Sequence, residues 1–158
     1  MKTLEVHKDV KEAVSKHGKK KELLLPILQE LVEKRSYLTE DIIRDVAIEM
    51  DMSPNEVYSV ASFYAFINVK PTGKFVVRVC HTISCDLAGK EEIIKALEKE
   101  LRIKVGNTTD DRLFTLSTTP CIGMCDQGPA MLVNDDVYTR LDSKKAVEII
   151  RDYKRKAE

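Results

Sequence analysis

An excess of charge of either sign is missing from this sequence. Lys plus Arg and Asp plus Glu each number 26 in 158 residues, so the formal net charge is zero. That argues against a general binder of nucleic acid or anionic membrane, which relies on phosphate neutralisation, and leaves room only for a local patch. No apolar run is long enough to span a bilayer, and no signal-peptide core follows Met1, so a cytoplasmic protein without membrane insertion is expected. Also missing are a phosphate-binding glycine motif, a metalloprotease His-Glu-x-x-His pair, and a nucleophile with its base. Ser117, Thr118 and Thr119 read as strand-end residues. Cysteine is sparse, four in all, with none left over for general core filling. What remains is a globular profile, 43% hydrophobic and 33% charged.

The four cysteines are what the chain is organised around. Cys80 and Cys85 enclose four residues, Cys121 and Cys125 enclose three, and thirty-five residues separate the inner two. In a reducing compartment, paired cysteines are more often metal or redox groups than structural disulfides; two disulfides in a secreted protein are the bland alternative. The first pair follows an apolar extended run at 75–79. The second lies in a loop punctuated by Pro120, Gly123, Gly128 and Pro129. Four soft ligands in two short-range pairs, each after a strand, read as one metal or iron–sulfur site.

Along the chain, residues 1–21 are charged and loosely patterned, with a short helix ending near Gly18. Residues 23–34 form a helix with Leu24, Ile27, Leu28 and Leu31 on one stripe and Pro26 in the first turn. Thr39 caps the next, whose stripe is Ile42, Ile43, Val46, Ala47 and Met50. Ser53, Pro54 and Glu56 begin a third, carrying Val57, Val60, Ala61 and Tyr64 on one side. The link 51–53 resembles that of a helix-turn-helix, but Asn55, Glu56, Ser59 and Ser62 supply no cation for DNA. Phe63, Tyr64 and Phe66 are expected to pack, within the bundle or against a partner protein. The helical bundle ends at 70 and a linker at 71–74 leads to the second domain, 75–158. That domain reads as a strand, a helix at 87–102 with Ile94, Leu97 and Leu101 on one face, strands at 113–116, 130–133 and 137–140, and a last helix. Glu91 and Lys95 supply an i,i+4 pair, and Ala146, Val147, Ile150 and Tyr153 face inward. The pattern is a small layer of mixed α and β structure.

The spacing leaves three chemistries open. A ferric [2Fe–2S] core with four thiolates carries about −2, and zinc with the same ligands does too, so charge does not separate them. Structural zinc favours closer pairs, and thioredoxin-type thiol chemistry requires two intervening residues, which neither pair has. Gly123 and Gly128 permit backbone amides to approach an anionic centre, although turn formation alone also accounts for them. His81 is a further candidate for a ligand or a hydrogen-bond donor, with the bland reading of a surface group.

With these residues in view, the chain resembles a known family: the 24 kDa-type [2Fe–2S] subunit of respiratory NADH dehydrogenase and its counterparts in NAD(P)-linked hydrogenases and formate dehydrogenases. The resemblance runs from about Leu23 to Arg151. It rests on Val60 to Tyr64, Pro71 to Gly73, the four cysteines in order, and Gly128 to Asp135. It implies an α+β fold, a helical N-terminal bundle followed by a thioredoxin-like domain with a small mixed sheet flanked by helices. It implies Cys80, Cys85, Cys121 and Cys125 as ligands of one [2Fe–2S] cluster, with His81, Ser84, Gly123 and Gly128 around them. Ser84 stands where many relatives have proline, and Asp126 with Gln127 adds an acidic choice beside the centre. The implied partners are a flavoprotein subunit holding FMN and NAD(P), and further iron–sulfur subunits, with Phe63, Tyr64 and Phe66 as contacts. No catalytic site is expected on this chain, and an exposed docking face is compatible with a homodimer of the isolated protein. A stand-alone ferredoxin and a zinc-stabilised interaction module are the rival readings.

Overall fold

A computed structural model describes residues 6–157. The chain divides between Pro71 and Thr72 into two compact units.

The first unit is helical: α1 (Lys8–His17), α2 (Leu24–Arg35), α3 (Glu40–Met50) and α4 (Pro54–Phe63). The starts of α3 and α4 follow from side-chain caps. The Thr39 hydroxyl accepts the Ile42 amide at 3.4 Å. Ser53 accepts the Asn55 amide while its own amide donates to Glu56, which satisfies two of the orphan donors at the start of α4. The core takes Val10 and Val14 from α1, the whole α2 stripe, Ile42 and Val46 from α3, and Val57 and Ala61 from α4. Tyr64 departs from the expected stripe. The helix ends at Phe63, the backbone at Tyr64 is extended, and its ring is exposed while Ile67 is buried. A residue that leaves helical φ/ψ no longer follows the 3.6 period.

Asp45 lies among the buried residues of α3, a polar group the apolar stripe does not announce. Its carboxylate accepts the His7 amide at 2.9 Å and lies 2.6 Å from His7 Nδ1, with Arg44 at 3.3 Å. Burial pushes its pKa up, but these bonds prevail and hold it below the usual aspartate range. A depressed folded-state pKa contributes stability above the unfolded value, about 3.9, that is lost as pH falls through the folded one. Asp45→Asn is therefore expected to cost ~2 kcal/mol at neutral pH and to flatten the acid limb of the stability profile. Urea midpoints across the acid range check both.

The second unit is a four-stranded sheet with helices. Its elements are β1 (Phe75–Cys80), α5 (Ile83–Leu87), α6 (Lys90–Leu101), β2 (Phe114–Thr119), β3 (Met131–Val133), β4 (Asp136–Tyr138) and α7 (Ser143–Ala157). The strand order is β2-β1-β3-β4. β1 and β2 are parallel, in register from Phe75 opposite Phe114 to Cys80 opposite Thr119. β3 returns antiparallel to β1, and β4 antiparallel to β3. Side chains alternate along a strand, so Val77 and Val79 share a face with Phe114 and Leu116. That face is packed with Ile93 and Leu97 of α6 and Ala146, Ile150 and Tyr153 of α7. Val147, expected to face inward, is only half-buried.

The helix expected over 87–102 is broken. Gly89, at φ 96°, separates α5 from α6, so Leu87 closes a short helix of its own. Lys90 then opens α6 and pairs with Asp86 at 3.2 Å and Glu91 at 3.4 Å, in place of the expected Glu91–Lys95 pair. Among the described residues, no helix is long and apolar enough to cross a membrane.

Candidate metal centre

The parallel pairing of β1 with β2 brings the distant cysteines together. Both strands run in one direction, and α6 lies in the crossover between them. Their C-terminal ends therefore lie side by side, the usual position for a ligand site in an open α/β layer. β1 ends on Cys80, and α5, one short turn later, carries Cys85. β2 ends on Thr119, and the next loop carries Cys121 and Cys125, the latter opening a 3₁₀ turn at Cys125–Gln127.

The four thiols are free and fall into unlike pairs. Cys80 and Cys85 are each 1% exposed and hydrogen-bonded to one another, whereas Cys121 and Cys125 lie at the surface with their sulfurs 3.2 Å apart. The pairs also reach across to each other. The Ile122 amide donates to the Cys80 sulfur, and the Ser84 hydroxyl donates to the Cys125 sulfur. Further donors converge on the sulfurs: Gly123 N–H on Cys121 at 3.4 Å and the Ala130 amide on Cys85. The Thr82 hydroxyl lies 3.2 Å from the Cys80 sulfur.

These contacts divide the protons unevenly. Burial raises the Cys80 thiol, but the Thr82 hydroxyl and amide, Cys85 and the Ile122 amide outweigh it and hold it below the ordinary thiol range. Cys85 is raised, by burial first and by Cys80 second. Cys125 is raised by its bond to Cys121 and by that sulfur's charge, with Ser84 opposing. In each pair the partner sulfur disfavours a second thiolate, as like charges held close together do.

The other residues singled out from the sequence occupy distinct places. Gly123 has φ 85°, where any side chain is strained, and it directs its amide at Cys121. Gly128 lies against Cys85, and a Cβ there would stand 3.5 Å from the Cys85 sulfur. The His81 ring is exposed, and only its backbone N–H enters the site, donating to Thr119 O at 3.0 Å. Asp126 is exposed. Phe63, Tyr64 and Phe66 are all exposed on the first unit, Phe63 at 80%, so of the two packings expected for them the one within the bundle does not hold.

Sequence reasoning missed Thr82 and Thr119. The Thr119 hydroxyl is buried without a hydrogen-bond partner. A threonine inside a cysteine-bearing loop was a readable signal for Thr82; for Thr119 the signal required the strand register.

The donor set fits a [2Fe–2S] cluster. Four thiols stand in two pairs, as a binuclear centre requires, with amides and hydroxyls aimed at the sulfurs and one buried hydroxyl left over. Among the described residues, no three His, Cys, Asp or Glu side chains gather around a single metal position.

A small mixed sheet flanked by helices, with two cysteine loops side by side at one end, defines a thioredoxin-like α+β protein with a thiol-lined centre. The profile of one family, the thioredoxin-like [2Fe-2S] ferredoxins, matches residues 10–154. The chain belongs to that family, and membership implies an electron-transfer role. Among its relatives is a subunit of the NADH-quinone oxidoreductase of Rickettsia felis, 36% identical over 154 residues that cover 96% of this chain and 91% of the relative. The corresponding subunit from Buchnera aphidicola is 37% identical over 122 residues, covering 77% of this chain and 75% of that one. Among solved structures, the NAD+-reducing [NiFe]-hydrogenase in its air-oxidized state superposes with a TM-score of 0.72 at 25% identity. The match covers 85% of this chain but only 23% of that hydrogenase chain.

Proposed function

We propose that this chain is the electron-transfer subunit of an NAD(P)H-oxidising complex. Cys80, Cys85, Cys121 and Cys125 hold one [2Fe–2S] cluster that exchanges single electrons with the FMN of a partner flavoprotein. The observation that supports this reading is the position of the two cysteine pairs, in the segments that follow the paired ends of β1 and β2, one pair buried and the other at the surface. The relatives named as NADH-quinone oxidoreductase subunits and the NAD+-reducing hydrogenase supply the kind of complex. When bound, the cluster supplies storage for one electron at a time.

The chain's own residues do the rest. Burial of Cys80 and Cys85 keeps water from one side of the centre, while exposed Cys121 and Cys125 leave the other open to a partner. Amide donors at Ile122, Gly123 and Ala130 offset the negative charge that reduction adds. The flavin and nucleotide sites belong to the partner, so this chain is one component of an enzyme, with no catalytic residues of its own. Further iron–sulfur subunits complete the assembly, in the cytoplasm.

The first unit presents Tyr58, Phe63, Tyr64 and Phe66, aromatic rings of the type that anchors protein interfaces. Phe63→Ala is expected to weaken binding to the flavoprotein subunit about tenfold or more, without changing iron content. Calorimetric titration of the two purified subunits measures it, and unchanged affinity removes Phe63 from the interface.

The decisive experiment is anaerobic purification, quantification of iron, sulfide and zinc, and electron paramagnetic resonance before and after dithionite. Roughly two irons and two sulfides per chain, with a signal appearing only on reduction, establish the cluster. Stoichiometric zinc that survives iron and sulfide reconstitution sinks the electron-transfer reading in favour of a zinc-stabilised interaction module. Reversible reduction with no stable flavoprotein contact identifies a stand-alone ferredoxin.

A further inference from the structure

One buried hydroxyl at the centre has nothing to bond in the protein alone. Parity places Thr115, Ser117 and Thr119 of β2 on one face of the sheet, beside Val76, Arg78 and Cys80 of β1. Thr115 is satisfied: it accepts the Gly73 amide at 2.7 Å and lies 2.8 Å from the Thr108 hydroxyl. Ser117 is satisfied too, donating to Val77 O at 3.3 Å. Thr119 breaks the series. It is 1% exposed, and its Oγ1 has no partner. It is also the member of the row at the cysteines, in register with Cys80 and two residues before Cys121.

Buried hydroxyls are rarely left unpaired, and one that is calls for a partner from outside the chain. A buried water, the alternative partner, would itself require two to four polar contacts. A sulfur of the cluster is an acceptor suited to a hydroxyl donor. We infer that Thr119 is a tuning residue whose Oγ1–H donates to a sulfur of the bound [2Fe–2S] cluster. The inference rests on the cluster reading above. A donor to sulfur favours the more negative state, so this bond raises the reduction potential. Thr82 differs, because its hydroxyl already lies against the Cys80 sulfur in the protein alone.

The test is a potentiometric titration, followed by electron paramagnetic resonance, of the full chain and three variants. Thr119→Val keeps the shape and removes the donor; its midpoint potential is expected to fall while iron and sulfide stay at the wild-type level. Thr119→Ser is expected to restore the wild-type value. The metal-free Thr119→Val protein should melt no lower than wild type, since in that state the hydroxyl bonds nothing. Thr119→Ala is the second donorless variant, for use if valine hinders loading. Equal midpoint potentials in the serine form and in whichever donorless form loads overturn the inference and leave the cluster reading standing. A wild-type chain that takes up no iron and sulfide overturns the cluster reading itself.

Discussion

Cys85→Ala is expected to empty the centre and also to weaken the metal-free protein, whereas Cys121→Ala should do only the first. Both remove one of four ligands, so both should drop bound iron from about two per chain to a small fraction of that. Metal binding is coupled to folding, so each variant, prepared with iron and sulfide, should lack the protection that the cluster confers on the second unit. The difference lies in what each side chain does without metal. Cys85 is 1% exposed, bonded to Cys80 and the Ala130 amide, and packed beneath Gly128. Its deletion leaves a small cavity and unpaired donors, a loss of ~2 kcal/mol in the metal-free state. Cys121 is at the surface, where truncation changes stability by less than ~0.5 kcal/mol. Iron assay and urea denaturation of both variants, with and without metal, separate the two effects. Hydrogen exchange adds a location, because residues 72–158 should lose protection while 6–71 serve as the internal reference. Retention of full iron by either variant would contradict the four-cysteine assignment.

How far the sequence reached follows from the range of each cause. Capping is local, and Thr39, Ser53 with Glu56, and the α2 stripe could all be read directly because a helix start depends on three or four consecutive residues. The cysteine pairs were legible for the same reason. Their approach across thirty-five residues was not, since it depends on the parallel register that sets Cys80 opposite Thr119. The break at Gly89 stayed hidden because Leu87 continues the apolar period of α6, although Gly89 is a visible breaker. The polar exceptions were least visible. Asp45 sits in an apolar stripe and depends on His7, and Thr119 reads as an ordinary β-former until its neighbours are known. Tyr64 shows the opposite error: in sequence it continues the stripe of Val57 and Ala61, and only the folded chain shows the helix ending before it and its ring facing outward.

Gly73→Ala should be among the most damaging single-atom additions in the second unit, although Gly73 is far from the second cysteine pair in sequence. It is buried, and an added Cβ would lie 2.8 Å from Phe114 N and 2.9 Å from the carbonyl carbons of Leu113 and Phe114. All three are backbone atoms at the start of β2, so no side chain can rotate away. The same few residues carry the bonds that fix the strands: Gly73 N–H to Thr115 Oγ1, Lys74 N–H to Arg112 O at 3.0 Å, and Phe75 N–H to Leu113 O at 2.8 Å. Relief of the clash means moving β1 from β2 at the end where their pairing begins. The loss should reach ~3 kcal/mol, the upper end for overpacking. Gly106→Ala is the control. Gly106 also resists substitution, at φ 91°, but its added Cβ meets nothing within 4 Å, so only backbone strain of ~1 kcal/mol is expected. Urea denaturation of the two variants gives the comparison, and equal losses would show that the close approach at Gly73 does not limit the fold. Iron retention carries the argument to the centre. A shift of β1 against β2 moves Cys80 relative to the 121–125 loop, so Gly73→Ala should load poorly even where it folds, and Gly106→Ala should load like wild type.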